Sequence, residues 1–367
     1  MKKILIRADA STTIGTGHVM RCLTLATALK KSGCEILFLC KDLKGNMAET
    51  IKKNGFQADL LPVDYKNANQ FPSTMSIWTV ADQRKDFDDC LGSIGNFKPD
   101  MIIIDHYSLD QNWHNLAREY VKNIFVIDDL ADRNHDCDFL LDQTFGINGK
   151  RYKDLVPENC VLFMGSQYAL LREDFASKHQ AALKKRKQRK SIETVLISFG
   201  GSDPDNISLI ALRACEMLYP PKKISVDLVI GPSNQNQAEL KNFIDKSPLD
   251  VRLHINTNKM ADLMISADLA LGAGGTTTWE RCCLALPSIV VCLADNQRDT
   301  INALEKKGAI INAGNAESLS ANKLSGMIYD LLDNPLRIND LRKISGEICD
   351  GTGAEKIVSS LKSKMVI

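Results

Sequence analysis

No apolar run in this chain is long enough to span a bilayer, and the opening Lys2-Lys3 precedes a run too brief for a signal peptide. A cytoplasmic location is therefore expected, with no membrane partner. Neither sign of charge dominates: 46 Lys and Arg face 45 Asp and Glu, leaving a formal charge of +1. No global field draws the chain toward nucleic acid. Cysteine is plentiful at 11, yet the number is odd and no pair is spaced Cys-x-x-Cys. That argues against a disulfide framework or a zinc ribbon and for buried thiols in a reducing compartment. Cys282-Cys283 and the neighbours His135 and Cys137 do not supply four ligands, so neither a metal nor a cofactor is expected. Low-complexity tracts and short-period repeats are also missing.

What is present is a chain of 367 residues, enough for two domains with full cores. Its opening reads as strand, loop and helix. Ile4 to Ala8 is a short buried strand, Ala10 to Gly17 a polar loop, and Val19, Cys22, Leu23 and Ala26 recur at helical spacing. Gly15 and Gly17 flank Thr16 just before the helix, where free N–H groups at a positive helix end suit a phosphate or a sugar. His18 lies in the first turn, where an α/β fold presents residues to a ligand. An imidazole there suits a base that takes a proton from water, or it merely satisfies a helix terminus. A dinucleotide fingerprint fits less well, because Gly-Thr-Gly lacks the third glycine.

Strands are predicted at Glu35 to Cys40, Met101 to Asp105, Ile124 to Ile127, Phe139 to Asp142 and Val161 to Met164, with a helix at Met47 to Asn54. Tyr65 to Phe87 is irregular. His106, Tyr107 and Ser108 follow a strand's carboxyl end directly. Leu170 to about Leu183 reads as a helix, and Lys184 to Lys190 closes it with six positive charges and no interleaved aromatic, which reads as a solvated linker. The predicted divisions are 1–180, a linker at 181–191, a second domain at 192–348, and a C-terminal helix at 349–367 for which packing back on the first domain is left open.

The second half starts as the first does. Thr194 to Phe199 is a strand, Gly200 to Pro204 a glycine turn, and Asn206 to Leu218 a helix. Further strands are read at Val226 to Ile230, Val251 to Ile255, Leu269 to Leu271, Ser288 to Leu293 and Ala309 to Ile311, and helices at Met260 to Ala267, Trp279 to Leu286 and Asn302 to Lys307. The alternation predicts an α/β fold of two doubly wound, Rossmann-like domains facing a cleft. The tail after Ser318 is helical, with a break near Asp350 to Gly353. Gly272-Ala273-Gly274-Gly275-Thr276-Thr277 sits at a strand-to-helix turn, where glycines admit a diphosphate and hydroxyls and N–H groups carry its charge. These glycines serve equally as packing for a tight turn. Glu280, one turn on, either accepts from a ribose diol or is a solvated helix carboxylate.

Met260 to Asp268, Gly272 to Glu280, Leu286-Pro287 and Asp295-Asn296-Gln297 resemble the uridine-diphosphate half of the GT-B glycosyltransferases, notably the enzyme that makes the peptidoglycan lipid intermediate. More closely, Arg7-Ala8-Asp9, Gly15 to Arg21, Ile104 to Tyr107, Tyr168 to Phe175 and Gly200 to Asn206 resemble the UDP-sugar hydrolases of pseudaminic acid synthesis, over nearly the whole chain and in order. The resemblance implies release of UDP from UDP-2,4-diacetamido-2,4,6-trideoxy-β-L-altropyranose, with water as second substrate; separately, a monomer is expected. It implies His18 as the general base, with Tyr107 and Asn296 bordering the sugar and the reacting centre. Substrate-binding positions are then Gly15, Gly17, Arg21, Gly200, Gly201, Ser202, Gly274, Gly275, Thr276, Thr277, Glu280 and Gln297. Loss of UDP needs its charge stabilised more than it needs an acid, which a helix N-terminus provides without a metal. Asp128-Asp129 is the nearest candidate for a metal-holding pair, but neighbouring residues on a strand point oppositely. With no carboxylate evident as nucleophile, inversion is expected. Transfer to an acceptor hydroxyl, or UDP-sugar binding without catalysis, are the other readings of the same residues.

Overall fold

The structure, a computed structural model, describes residues 1–63, 77–189, 191–220 and 222–367. The chain forms two units, Met1–Leu171 with Thr352–Ile367, and Arg172–Gly351.

The first unit contains β1 (Lys3–Ala8), α1 (Gly17–Lys31), β2 (Glu35–Lys41), α2 (Ala48–Lys53), β3 (Gln57–Leu61), α3 (Val80–Phe97), β4 (Met101–Asp105), α4 (Gln111–Ala117), β5 (Asn123–Ile127), β6 (Phe139–Asp142) and β7 (Val161–Met164). Its strands form one parallel sheet in the order β3-β2-β1-β4-β5-β6-β7. Both faces are covered, so alternate residues of one strand enter different cores. Ile4 and Ile6 join Val19, Cys22 and Ala26 of α1, while Leu5 joins Ile102, Ile104 and Trp113 on the other face. β3 carries no apolar pattern because it is an edge strand with three of its five residues exposed. Of the irregular stretch Tyr65 to Phe87, residues 65–76 lie outside the described residues, and 80–87 begin α3, which Thr79 caps by accepting from Asp82 N.

The second unit contains α5 (Glu173–Gln188), β8 (Thr194–Ser198), α6 (Ile207–Glu216), β9 (Ser225–Ile230), α7 (Gln237–Lys246), β10 (Asp250–Ile255), α8 (Met260–Ser266), β11 (Leu269–Ala273), α9 (Thr277–Cys283), β12 (Ser288–Cys292), α10 (Arg298–Lys307), β13 (Ile311–Asn315), α11 (Ala321–Leu332) and α12 (Pro335–Gly346). Its sheet is also parallel, in the order β10-β9-β8-β11-β12-β13. The last strand starts at Ile311 rather than Ala309, because Gly308 ends α10 at φ +80 and the next two residues complete the turn. α13 (Gly353–Ser363) returns to the first unit, where Ile357, Val358 and Leu361 share the core of α1.

The basic run read as a solvated linker is instead the last part of α5 through Gln188, with Lys190 outside the described residues. Phe175, His179, Ala182 and Arg186 recur at helical spacing and are buried in the second unit. Arg186 donates to the carbonyls of Met264, Ala267 and Leu284, which lie at helix ends that lack intrahelical donors. That packing sets the division at Leu171/Arg172 and Gly351/Thr352 rather than at 180, 191 and 348. Among the described residues, no helix is long and apolar enough to cross a membrane.

Candidate active site

In the first unit, β1 and β4 are neighbours with Ala8 opposite Asp105, so their carboxyl ends deliver Asp9 and Asp105 side by side. The loop after β1 closes on itself: Gly15 N donates to Ser11 O at 2.9 Å, and the Ser11 hydroxyl accepts from Thr13 N and Ile14 N. Gly15 sits at φ +80, a conformation that costs glycine little. α1 then starts at Gly17 with neither a side-chain cap nor an acidic residue in its first turn, so N–H groups at its positive end are left to other acceptors.

His18, Arg21 and Cys22 share one face of α1, and that face meets Asp105. His18 Nδ1 lies 2.6 Å from Asp105 Oδ1. Arg21 donates to both oxygens of the same carboxylate, Nε to Oδ2 at 2.7 Å and Nη2 to Oδ1 at 2.6 Å, and its Nη1 reaches Asp129 Oδ2 at 3.1 Å. Burial alone would raise the Asp105 pKa, but the Arg21 guanidinium, with His18, holds it well below the usual carboxylate range. An ionised carboxylate only accepts, so Nδ1–H donates in this contact, and Nε2 is the ring nitrogen not bonded to Asp105. Tyr107 completes the group. Its hydroxyl donates to Asp129 Oδ1 at 2.7 Å, and its ring stands edge-on to His18 with centroids 4.6 Å apart. Burial and Asp129 push the phenol pKa far up, so it stays a neutral donor.

The structure therefore brings His18, Arg21 and Tyr107 together, but Arg21 is buried and its guanidinium is committed to Asp105 and Asp129. It acts as a clamp on the site rather than as an open ligand group. Asp105 and Asp129 were not among the site residues read from sequence. The available signal was an aspartate ending an apolar strand, which becomes specific only when the partner strand is known. Asp128 and Asp129 diverge: Asp128 is buried against Arg133 and the Tyr152 hydroxyl, while Asp129 faces Arg21 and Tyr107.

In the second unit, the Gly200 to Ser202 turn follows β8 and the glycine run starts in the last two residues of β11, adjacent strands with Ser198 opposite Gly272. The first turn is fastened by buried Asp203, whose carboxylate accepts from Ile207 N and Ser208 N at 2.9 Å each. Gly200 stands at φ +96, and Gly201 lies against Gly231. The glycines of the second turn have different reasons. A Cβ on Gly274 would meet Ile301 Cδ1 at 2.5 Å and Gln297 Cβ at 3.1 Å, whereas one on Gly275 would meet nothing within 4 Å. Gly274 thus serves packing against α10, and Gly275 keeps the backbone approachable. Thr276 is exposed at the start of α9, and Thr277 Oγ1 accepts from Arg281 Nη1 at 3.1 Å.

Glu280 is half-buried on α9, and no hydrogen bond to its carboxylate is found among the described residues. Burial raises its pKa to about 7 against the pull of Arg172 and Arg281. Gln297 is pinned by accepting from Leu293 N at 3.1 Å, and Asn296 beside it is exposed.

A family model described as "Glycosyltransferase family 28 C-terminal domain" matches residues 159–350, just over half of the chain. The uncharacterized protein MJ1062 of Methanocaldococcus jannaschii is 30% identical over 310 residues, which is 83% of this chain but 58% of that protein. The chain thus spans little more than half the length of that relative. A UDP-2,4-diacetamido-2,4,6-trideoxy-β-L-altropyranose hydrolase of Campylobacter jejuni is 28% identical over 307 residues, 83% of this chain and 97% of that one. Among solved structures, MurG of Acinetobacter baumannii superposes with a TM-score of 0.70 at 13% identity, covering 99% of this chain and 100% of MurG. With two parallel-sheet α/β units of the kind found in GT-B glycosyltransferases, the chain belongs to the family described as glycosyltransferase family 28 C-terminal domain.

Proposed function

We propose that the chain is an enzyme acting on UDP-sugars, and that it hydrolyses UDP-2,4-diacetamido-2,4,6-trideoxy-β-L-altropyranose to the free sugar and UDP. The observation that carries this reading is the His18 imidazole held at Nδ1 by an ionised, buried Asp105. The Campylobacter jejuni relative's name supports the substrate. In the proposed reaction a water oxygen bonds to the anomeric carbon while His18 Nε2 takes its proton. The carbon–oxygen bond to the β-phosphate breaks, its electron pair leaves with UDP, and the configuration inverts. Tyr107 and Asn296 border the sugar, while Gly275, Thr276 and Thr277 meet the diphosphate with backbone N–H groups and hydroxyls. The Gly200 to Ser202 turn and Gln297 line the nucleotide site, and Glu280 accepts from the ribose diol. Gly15 and Gly17 admit the sugar at the start of α1.

The test is incubation of the protein with that UDP-sugar in oxygen-18 water, with EDTA and no acceptor. Label in the sugar supports the proposal. Label in UDP means attack at phosphorus, and no release without an acceptor means a glycosyltransferase, the second reading, favoured by the matched family's description. His18→Ala should slow hydrolysis by roughly a hundred- to ten-thousand-fold while UDP affinity changes little.

A further inference from the structure

Among the described residues, Cys160 is the one cysteine that is half-buried, the others being buried. It directly precedes β7, while Cys137 stands two residues before the neighbouring strand β6. The two segments are tied by the sheet: Asp138 N donates to Ile124 O at 2.9 Å, and Val161 N donates to Asp138 O at 2.8 Å. The sulfurs consequently lie 3.6 Å apart with no other residue between them in the hydrogen-bond chain. Bonding distance for a disulfide is about 2.05 Å, so the sulfurs need approach by only about 1.5 Å, which side-chain rotation supplies. We propose that Cys137 and Cys160 form a thiol pair that a hydroperoxide converts reversibly to an intramolecular disulfide.

The order of events follows from exposure. The Cys160 thiol gives up its proton and its sulfur attacks the peroxide oxygen, the O–O bond breaks, and Cys160 becomes a sulfenic acid while the hydroxide displaced from hydrogen peroxide takes up the thiol's proton and leaves as water. The Cys137 sulfur then attacks the Cys160 sulfur, the sulfenic hydroxyl leaves with the Cys137 proton as a second water, and the S–S bond closes. Two thiols lose two electrons and one peroxide gains them. Between the two cysteines lie Arg151 and Tyr152, which bind Asp142 and, for Tyr152, Asp128. The bond therefore closes a loop that is already fastened to the sheet at its middle.

The experiment treats the full chain with hydrogen peroxide, blocks remaining thiols, and maps peptides by mass with and without dithiothreitol. A peptide pair joined through Cys137 and Cys160, two mass units lighter than the thiols and separated by dithiothreitol, is the expected result. In Cys137→Ala the sulfenic acid at Cys160 should persist and become the main dimedone adduct, and Cys160→Ala should yield neither product. The proposal is overturned if the folded wild-type chain, checked by circular dichroism, gives a dimedone adduct at Cys160 in place of the crosslink. Disulfides that instead join other cysteines or two copies of the chain overturn it equally.

Discussion

Glu280 offers the sharpest test of the proposed nucleotide site, because burial raises its pKa and a ribose diol bonded to it would favour the charged form. With its pKa raised to about 7 by burial, roughly a tenth of the side chains are ionised at pH 6 and roughly nine tenths at pH 8. A ribose diol donating two hydrogen bonds favours the ionised form. Apparent affinity for UDP should therefore rise about tenfold from pH 6 to pH 8, about 1.4 kcal/mol, from this group alone. Glu280→Gln removes the charge and should weaken binding at pH 8 by about 1.5–3 kcal/mol. Calorimetric titration of both proteins with UDP across this range separates the residue from the ligand, because the phosphate's own titration is common to both profiles. Wild-type and variant affinities that run parallel with pH would refute the assignment of Glu280 to the ribose, whatever their absolute values.

Three further outcomes follow from the geometry. Asp105→Asn should lower hydrolysis of the UDP-sugar by more than about a hundredfold with UDP affinity little changed, and should cost about 3–5 kcal/mol of stability because Arg21 loses its buried carboxylate; steady-state kinetics and urea melts measure the two. Gly274→Ala forces a methyl against Ile301 and should cost about 1–3 kcal/mol, whereas Gly275→Ala should leave the melting temperature near wild type, a contrast readable by thermal denaturation. Acid should weaken the first unit. His114 is buried, its ring nitrogens have no hydrogen-bond partner among the described residues, and it stacks on His135; burial holds its pKa well below 6.5, so the unfolded chain binds the extra proton; its contribution is present above about pH 6.5 and lost as pH falls, and a urea midpoint that did not drop between about pH 7 and pH 5 would contradict this. His106, lowered by burial, acts with the same sign.

Much of the fold was legible because parallel strands buried on both faces are nearly continuous apolar runs, as in Met101 to Ile104 and Ile124 to Ile127. Elements that serve an edge or a surface were not. β3 has one buried residue, and α7 buries only Leu240, so neither writes an apolar period into the chain. The basic run misled for a related reason. Its charges read as solvated, yet Arg186 is used inside, where carbonyls at helix ends need a donor.

By itself the sequence determined two α/β units and the sites of their turns, because local periodicity and glycine placement are properties of short segments. It also marked His18, Tyr107, the two glycine turns and Glu280 as candidates. Only the tertiary structure decided that Asp105, 87 residues from His18, is its partner, that Arg21 clamps both, and that Gly274 and Gly275 have different reasons to be glycine. Such contacts depend on which strands become neighbours. That choice is made by the burial of whole faces and not by any segment alone.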